Sequence, residues 1–301
     1  MTRLPTSSTI PIASLLSSPP SPLSFIYSSH SSWPYPPNST TSTLSPTISV
    51  LDSSFNPPHA AHKALAETVS SSSDSTPPQA HLLTFTISNA DKKLDEKDLF
   101  TRLEMIRSMA IDLNRQDSKN WNNVAVAVLD AATFVKKAEI LKREIPKLLL
   151  SSLLKQQQEE EEKVIEFEPN FVFPVGWDTL IRIFASRYYP PPGPDLSTSM
   201  ETLFSTNRSS LVCARRASSQ QSQQVEAEEE EQEFLSRPEV DKWVKLGKLK
   251  VVDLKETDSE IRSISSTRIR EMVKKGDWDG VKEMVPFASV VEVIKKERLY
   301  Q

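Results

Sequence analysis

The chain has 301 residues, enough for one large α/β domain or two small ones, and 38% hydrophobic with 25% charged residues suits a globular core. A net charge of −4 argues against a general nucleic-acid binder, which is usually basic, but leaves room for a small anionic substrate met by a local cluster of cations. No apolar stretch approaches the ~18 residues that a membrane span needs, and the single cysteine excludes an internal disulfide.

Residues 1–46 read as a flexible Ser/Pro-rich N-terminal arm in which Arg3 is the one charged residue. The arm is acid-poor and Ser-rich, as transit peptides are, yet it is not Arg-rich and prolines interrupt any amphipathic helix. A reducing cytoplasmic and/or nuclear setting is therefore expected, with mitochondrial import as the lesser alternative. Order is expected from about Thr47.

Residues 48–51 read as a strand, 59–69 as a helix and 82–87 as a second strand. An amphipathic helix follows over 99–113, with Leu99, Leu103, Ile106 and Ala110 on its apolar side. Strands are predicted at 124–129 and 171–175, then a helix at 179–189, then strands at 211–214 and 249–254. Cys213 falls in the apolar run 211–214 and reads as a buried strand thiol. A helical run ends at Lys275 before Gly276, and another helix closes the chain over 290–300. Strands alternating with helices imply βαβ units, hence an α/β fold: a Rossmann-like, doubly wound parallel sheet with helices on both faces. Three low-complexity insertions are expected to be disordered, near 155–163, 190–210 and 217–236. They offer docking tails for protein partners.

The chemistry concentrates in the segment SSFNPPHAAH, residues 53–62, between a predicted strand and a predicted helix. Asn56 and Pro57 turn the chain out of the sheet, and Pro58 suits a first helical turn, where its missing N–H is not needed. His59 and His62 are three apart, so both imidazoles lie on one side of that turn, where free amides and the helix dipole attract phosphate. Two of the four histidines at one strand-to-helix switch is a ligand-binding pattern in α/β sheets rather than a surface accident. A second segment, ISSTRIR at 264–270, sets Ser265, Ser266 and Thr267 before a helical run. A hydroxyl N-cap and an anion site are compatible there, with Arg270 as the cation and Arg268 on another, solvated face. A third, Val175-Gly176-Trp177-Asp178, ends a strand, and Asp178 either caps the next helix or meets a ribose hydroxyl.

The first segment resembles the (G/T)xFNPxHxxH signature of the nucleotidylyltransferase superfamily, and is most similar to the fungal branch of nicotinamide-mononucleotide adenylyltransferases. The resemblance implies that His59 and His62 are catalytic, holding the ATP phosphates and stabilising charge during transfer. It implies ATP binding by Ser53, Ser54, Phe55, Asn56, Gly176, Asp178, Ser265, Ser266, Thr267 and Arg270. Ser53 departs from the glycine of many members, narrowing the backbone approach to phosphate while adding a hydroxyl. Lys92 and Arg102 look like the family's acceptor wall, and Trp177 and Arg215 join them as acceptor-side candidates. Trp121 is an alternative face for the ring. The family's TYTxxTL stretch is only loosely echoed by residues 133–137.

The expected reaction transfers AMP from ATP to nicotinamide mononucleotide, giving NAD and pyrophosphate, with imidazoles, lysines, Arg270 and helix amides neutralising charge. Mg²⁺ is expected with the triphosphate, and no Cys/His grouping suggests zinc. No nucleic acid or membrane is expected as a partner. Two alternatives stand beside this: another phosphorylated acceptor, as in a cytidylyltransferase or pantetheine-phosphate adenylyltransferase, or an ATP-binding or ATP-hydrolysing module acting in a protein complex.

Overall fold

The computed structural model describes residues 21–35, 45–71, 77–87, 96–153, 167–215, 221–253 and 264–301. Seven strands form one sheet: β1 (Leu23–Ser28), β2 (Thr47–Asp52), β3 (Ala80–Thr86), β4 (Val124–Leu129), β5 (Asn170–Gly176), β6 (Ser209–Ala214) and β7 (Leu249–Val252). Their order is β1-β4-β3-β2-β5-β6-β7, parallel throughout except for the antiparallel β1–β4 pair. Counted from β2, the parallel strands follow the 3-2-1-4-5-6 order of a doubly wound Rossmann-type sheet. The winding reverses between β2 and β5, and the carboxyl ends of the strands there form the crevice in which such sheets bind ligands.

The sheet is buried on both faces, which is why β4 reads Val-Ala-Val-Ala-Val-Leu with every residue inside. Alternate residues feed two apolar layers. Ala125, Ala127 and Leu129 pack with Val135, Ala138 and Leu141 of helix α4 (Phe134–Leu153), while Val124, Val126 and Val128 pack with Leu103, Ile106 and Met109 of α2 (Glu96–Gln116). Helix α1 (Ala60–Ser71) follows β2, and the short α3 (Ser118–Trp121) precedes β4. Helices α5 (Trp177–Ile183), α6 (Leu196–Glu201), α7 (Gln221–Ser236) and α8 (Pro238–Lys245) lie with α4 in the first layer. Helices α9 (Ser266–Lys275), α10 (Trp278–Met284) and α11 (Ala288–Lys296) join α2 in the second.

The structure differs from the sequence reading in the helix expected at 179–189, which ends at Ile183, in α4, which was not expected, and in the arm and two insertions. Within the expected flexible arm, Leu23–Ser28 forms β1, and Trp33 is buried with its indole N–H donated to the His81 carbonyl at 3.2 Å. The segment Ser-Phe-Ile-Tyr supplies β-prone side chains to an edge of the sheet, which outweighs the surrounding Ser/Pro composition. The expected insertion at 190–210 is largely ordered: Asp195 caps α6 by accepting from the Thr198 N–H at 2.8 Å, and Met200, Leu203 and Phe204 are core residues. The expected insertion at 217–236 contains α7, whose Phe234 is buried against Trp177 and Phe184. The stretch at 155–163 lies outside the described residues. Among the described residues, no helix is long and apolar enough to cross a membrane.

Candidate active site

The chain leaves β2 at Asp52, and Phe55 adopts a left-handed backbone, φ 44°, with its ring fully buried beside His62 at 4.8 Å. A non-glycine residue in that region is costly unless packing fixes it, and here the core holds the ring. Helix α1 then opens with a reciprocal cap. The His62 N–H bonds the His59 carbonyl at 2.9 Å, and the His59 N–H donates to His62 Nδ1 at 3.1 Å.

That bond decides the His62 tautomer. A backbone N–H can only donate, so Nδ1 must accept and the proton sits on Nε2. Nε2 lies 3.0 Å from Ser53 Oγ, so His62 donates to that hydroxyl and leaves the Ser53 O–H for a ligand. The His59 ring lies 3.9 Å from the His62 ring, and its Nδ1 is buried without a hydrogen-bond partner. Burial lowers the pKa of His59 to about 4 and that of His62 well below its ordinary value, with the neighbouring His59 adding to the latter. Without a ligand both imidazoles are therefore neutral. In that state they can meet a phosphate as neutral hydrogen-bond donors rather than as fixed cations.

The second segment meets the first. Ser265 caps α9, accepting from the Arg268 N–H at 3.2 Å. Ser266 donates to the Pro57 carbonyl at 3.3 Å, and Arg270 donates to the Asn56 carbonyl at 2.7 Å and to Thr267 Oγ1 at 3.1 Å. Two elements more than 200 residues apart in sequence are thus tied at the carboxyl end of β2. Gly276, φ 75°, ends α9 in a left-handed turn, and Arg268 is exposed. Ser54 is exposed on the loop between β2 and α1.

The third segment sits one strand away, at the end of β5. Gly176 precedes α5 with an extended backbone, and Asp178 lies in the first turn, exposed. Asp178 is not the N-cap, because Gly176 holds that position and α5 begins two residues earlier than the capping alternative requires.

The acceptor-side candidates divide. Arg102 lies over the Phe85 ring at 6.0 Å with Asp98 at 3.7 Å. Lys92 lies outside the described residues. Trp177 is half-buried and packs edge-on against Phe234, 5.4 Å between centroids. Trp121 stacks on His81 at 4.3 Å beside the amino end of β4, at the opposite end of the strands from the site. Arg215 is held by Glu231 at 2.8 Å and Asp253 at 2.9 Å, so any phosphate there must displace carboxylates.

Sequence reasoning missed two features. Lys137 donates to Asp52 in a buried ion pair, and the other Asp52 oxygen accepts from Thr84 at 3.0 Å and Thr86 at 2.9 Å. A buried pair of this kind is strongly destabilised when one partner is removed. It fastens the start of α4 to the end of β2 inside the stretch where a family echo was weakest. The other is Tyr300, whose hydroxyl donates to Asn56 Oδ1 at 2.5 Å. No local pattern announces either one.

No family model matches the chain. A curated protein of Schizosaccharomyces pombe, named "Putative nicotinamide mononucleotide adenylyltransferase", is 27% identical over 256 residues, 83% of this chain and 86% of its own. Among solved structures, the Plasmodium falciparum nicotinic acid mononucleotide adenylyltransferase complexed with NaAD aligns at 15% identity with a TM-score of 0.44, over 85% of this chain and 97% of that one. The same protein complexed with APC aligns at 14% identity and the same TM-score of 0.44.

Proposed function

We propose that this chain is an adenylyltransferase that joins ATP to nicotinamide mononucleotide, forming NAD and pyrophosphate. The observation that carries the reading is the tie between the His59–His62 helix start and the Ser266–Arg270 helix start at the switch point of the sheet. Two helix N-termini, a guanidinium and several hydroxyls converge where doubly wound sheets receive nucleotides. The name of the S. pombe relative and the sequence resemblance of both segments support the same class of reaction.

In the proposed reaction an oxygen of the acceptor's phosphate attacks the α-phosphorus of ATP. A new P–O bond forms, the bridge to the β-phosphate breaks, and pyrophosphate leaves with the electron pair. The protein's contribution is alignment and charge stabilisation rather than covalent catalysis. In this reading Ser53 Oγ, the His59 and His62 imidazoles and the amides at the start of α1 receive the triphosphate, and burial of both rings makes their hydrogen bonds count for more than they would in water. Arg270 and the start of α9 take the distal phosphates, and Asp178 takes a ribose hydroxyl. The donors at the site are imidazoles, hydroxyls and a guanidinium, which suit an anion; this fits a Mg²⁺ ion held chiefly by the triphosphate and water. When bound, that ion neutralises phosphate charge.

The test is a panel of phosphorylated acceptors with ATP and Mg²⁺, read by pyrophosphate release and product mass. NAD formation is the expected result. A different adenylylated product transfers the reading to another acceptor, and ATP hydrolysis without transfer replaces it with a nucleotide-driven module.

A further inference from the structure

Resting on the reading of residues 53–62 as a nucleotide loop, we propose that Tyr300, the second-last residue, is a positioning residue whose hydroxyl holds the Asn56 carboxamide and so completes the site from the C-terminus. The C-terminal helix is well placed to do this. Asp112 of α2 accepts from the Ser289 N–H and the Ser289 hydroxyl, each at 2.8 Å, and Val290, Val291 and Ile294 are buried against the second layer. The helix then ends in a paired turn. The Arg298 N–H bonds the Lys295 carbonyl at 3.3 Å, and the Leu299 N–H bonds the Ile294 carbonyl at 3.0 Å.

Arg298 and Tyr300 both have left-handed backbones, φ 51° and 65°. Glycine is the usual occupant of such positions, and two L-residues there within three persist only where their surroundings hold them. The consequence is directional. The chain turns back, and the phenol reaches Asn56 Oδ1 at 2.5 Å across 244 residues of sequence.

Asn56 is then gripped twice: Arg270 takes its main-chain carbonyl and Tyr300 its side-chain oxygen. With that oxygen occupied, the carboxamide has two N–H donors left for an anion. The phenol thus ties the turn after α11 to the loop between β2 and α1, while Arg270 ties α9 to the same loop. Burial raises the phenol's pKa and keeps it a donor.

The experiment uses the full chain and Tyr300→Phe, which keeps the ring and removes the hydroxyl. ATP with Mg²⁺ is titrated calorimetrically, and KM and kcat for ATP are measured with the best acceptor. Losing one hydrogen bond to the loop is expected to weaken ATP binding and raise its KM by roughly three- to tenfold, with a smaller change in kcat. A double-mutant cycle with Asn56→Ala is expected to be non-additive. Native ATP affinity in Tyr300→Phe, or additivity in the cycle, overturns the proposal. Should Tyr300→Phe melt at a lower temperature, the cycle measured well below that temperature still decides, because a general loss of stability gives no specific coupling to Asn56. Coupling without transfer to any acceptor would remove the adenylyltransferase reading and leave this role intact. NAD formation by Tyr300→Phe with native constants would do the reverse.

Discussion

His62 illustrates how one residue is fixed by its neighbours. Its Nδ1 accepts from the His59 amide and its Nε2 faces Ser53 Oγ, so its ring has a single tautomer and a single orientation. His59→Ala or His62→Ala is expected to lower turnover by roughly 10²–10³, the usual cost of losing one preorganised donor. The check is steady-state rate beside a thermal melt; a folded variant at near-native rate would remove that histidine from the mechanism. Arg270→Ala is expected to weaken ATP use, since it loses the bond to the Asn56 carbonyl, while the exposed Arg268 tolerates alanine. The reverse order in ATP KM would show that the wrong face of α9 has been chosen. As candidates these residues stand out in the sequence because residue type and spacing carry them. Lys137 and Tyr300 were not, because their partners Asp52 and Asn56 lie 85 and 244 residues away.

At the scale of elements, strands were easier to find than helices. A strand buried on both faces is a short unbroken apolar run, as β4 is. Helix α4 is hard to read from sequence because Pro146 sits inside it, where proline ordinarily breaks a helix. Helix α7 hid in its own composition: a run of glutamates suggests disorder, yet Phe234 at its far end anchors it under Trp177. Phe234→Ala is accordingly expected to cost about 3–5 kcal/mol, as buried aromatic truncations do. At the exposed Glu229, alanine should stay within about 0.5 kcal/mol. Denaturant unfolding of the two variants compares them, and equal stabilities would mean that α7 is not docked. Gly276→Ala is expected to lose about 1–2 kcal/mol through backbone strain alone, because an added Cβ there meets nothing within 4 Å. An unchanged unfolding midpoint would contradict the left-handed turn after α9.

The whole molecule is one doubly wound sheet, and its class was legible from the alternation of strands and helices. Its edge was not. The antiparallel β1 lies in a stretch whose Ser/Pro composition masks a short β-prone run, so removing residues 1–45 should uncover β4 and destabilise the chain. Buried histidines add a pH dependence. Burial lowers the pKa of His59 and His81 to about 4 and pushes His62 well down, against an ordinary value near 6.5. A depressed histidine pKa favours the fold while the ring is neutral. That stability is fully present above pH 6.5 and is lost as pH falls toward 4, by about 3 kcal/mol for His81 alone. Unfolding free energies measured across this window should fall with acid, and a flat profile would contradict the burial of these rings. The central claim concerns transfer, and one labelling measurement meets it directly. The purified chain is incubated with Mg²⁺, nicotinamide mononucleotide and ATP labelled at the α-phosphorus. The label is expected in NAD, with one pyrophosphate released per dinucleotide formed; label remaining in ATP, or appearing only in free AMP or ADP, would contradict it.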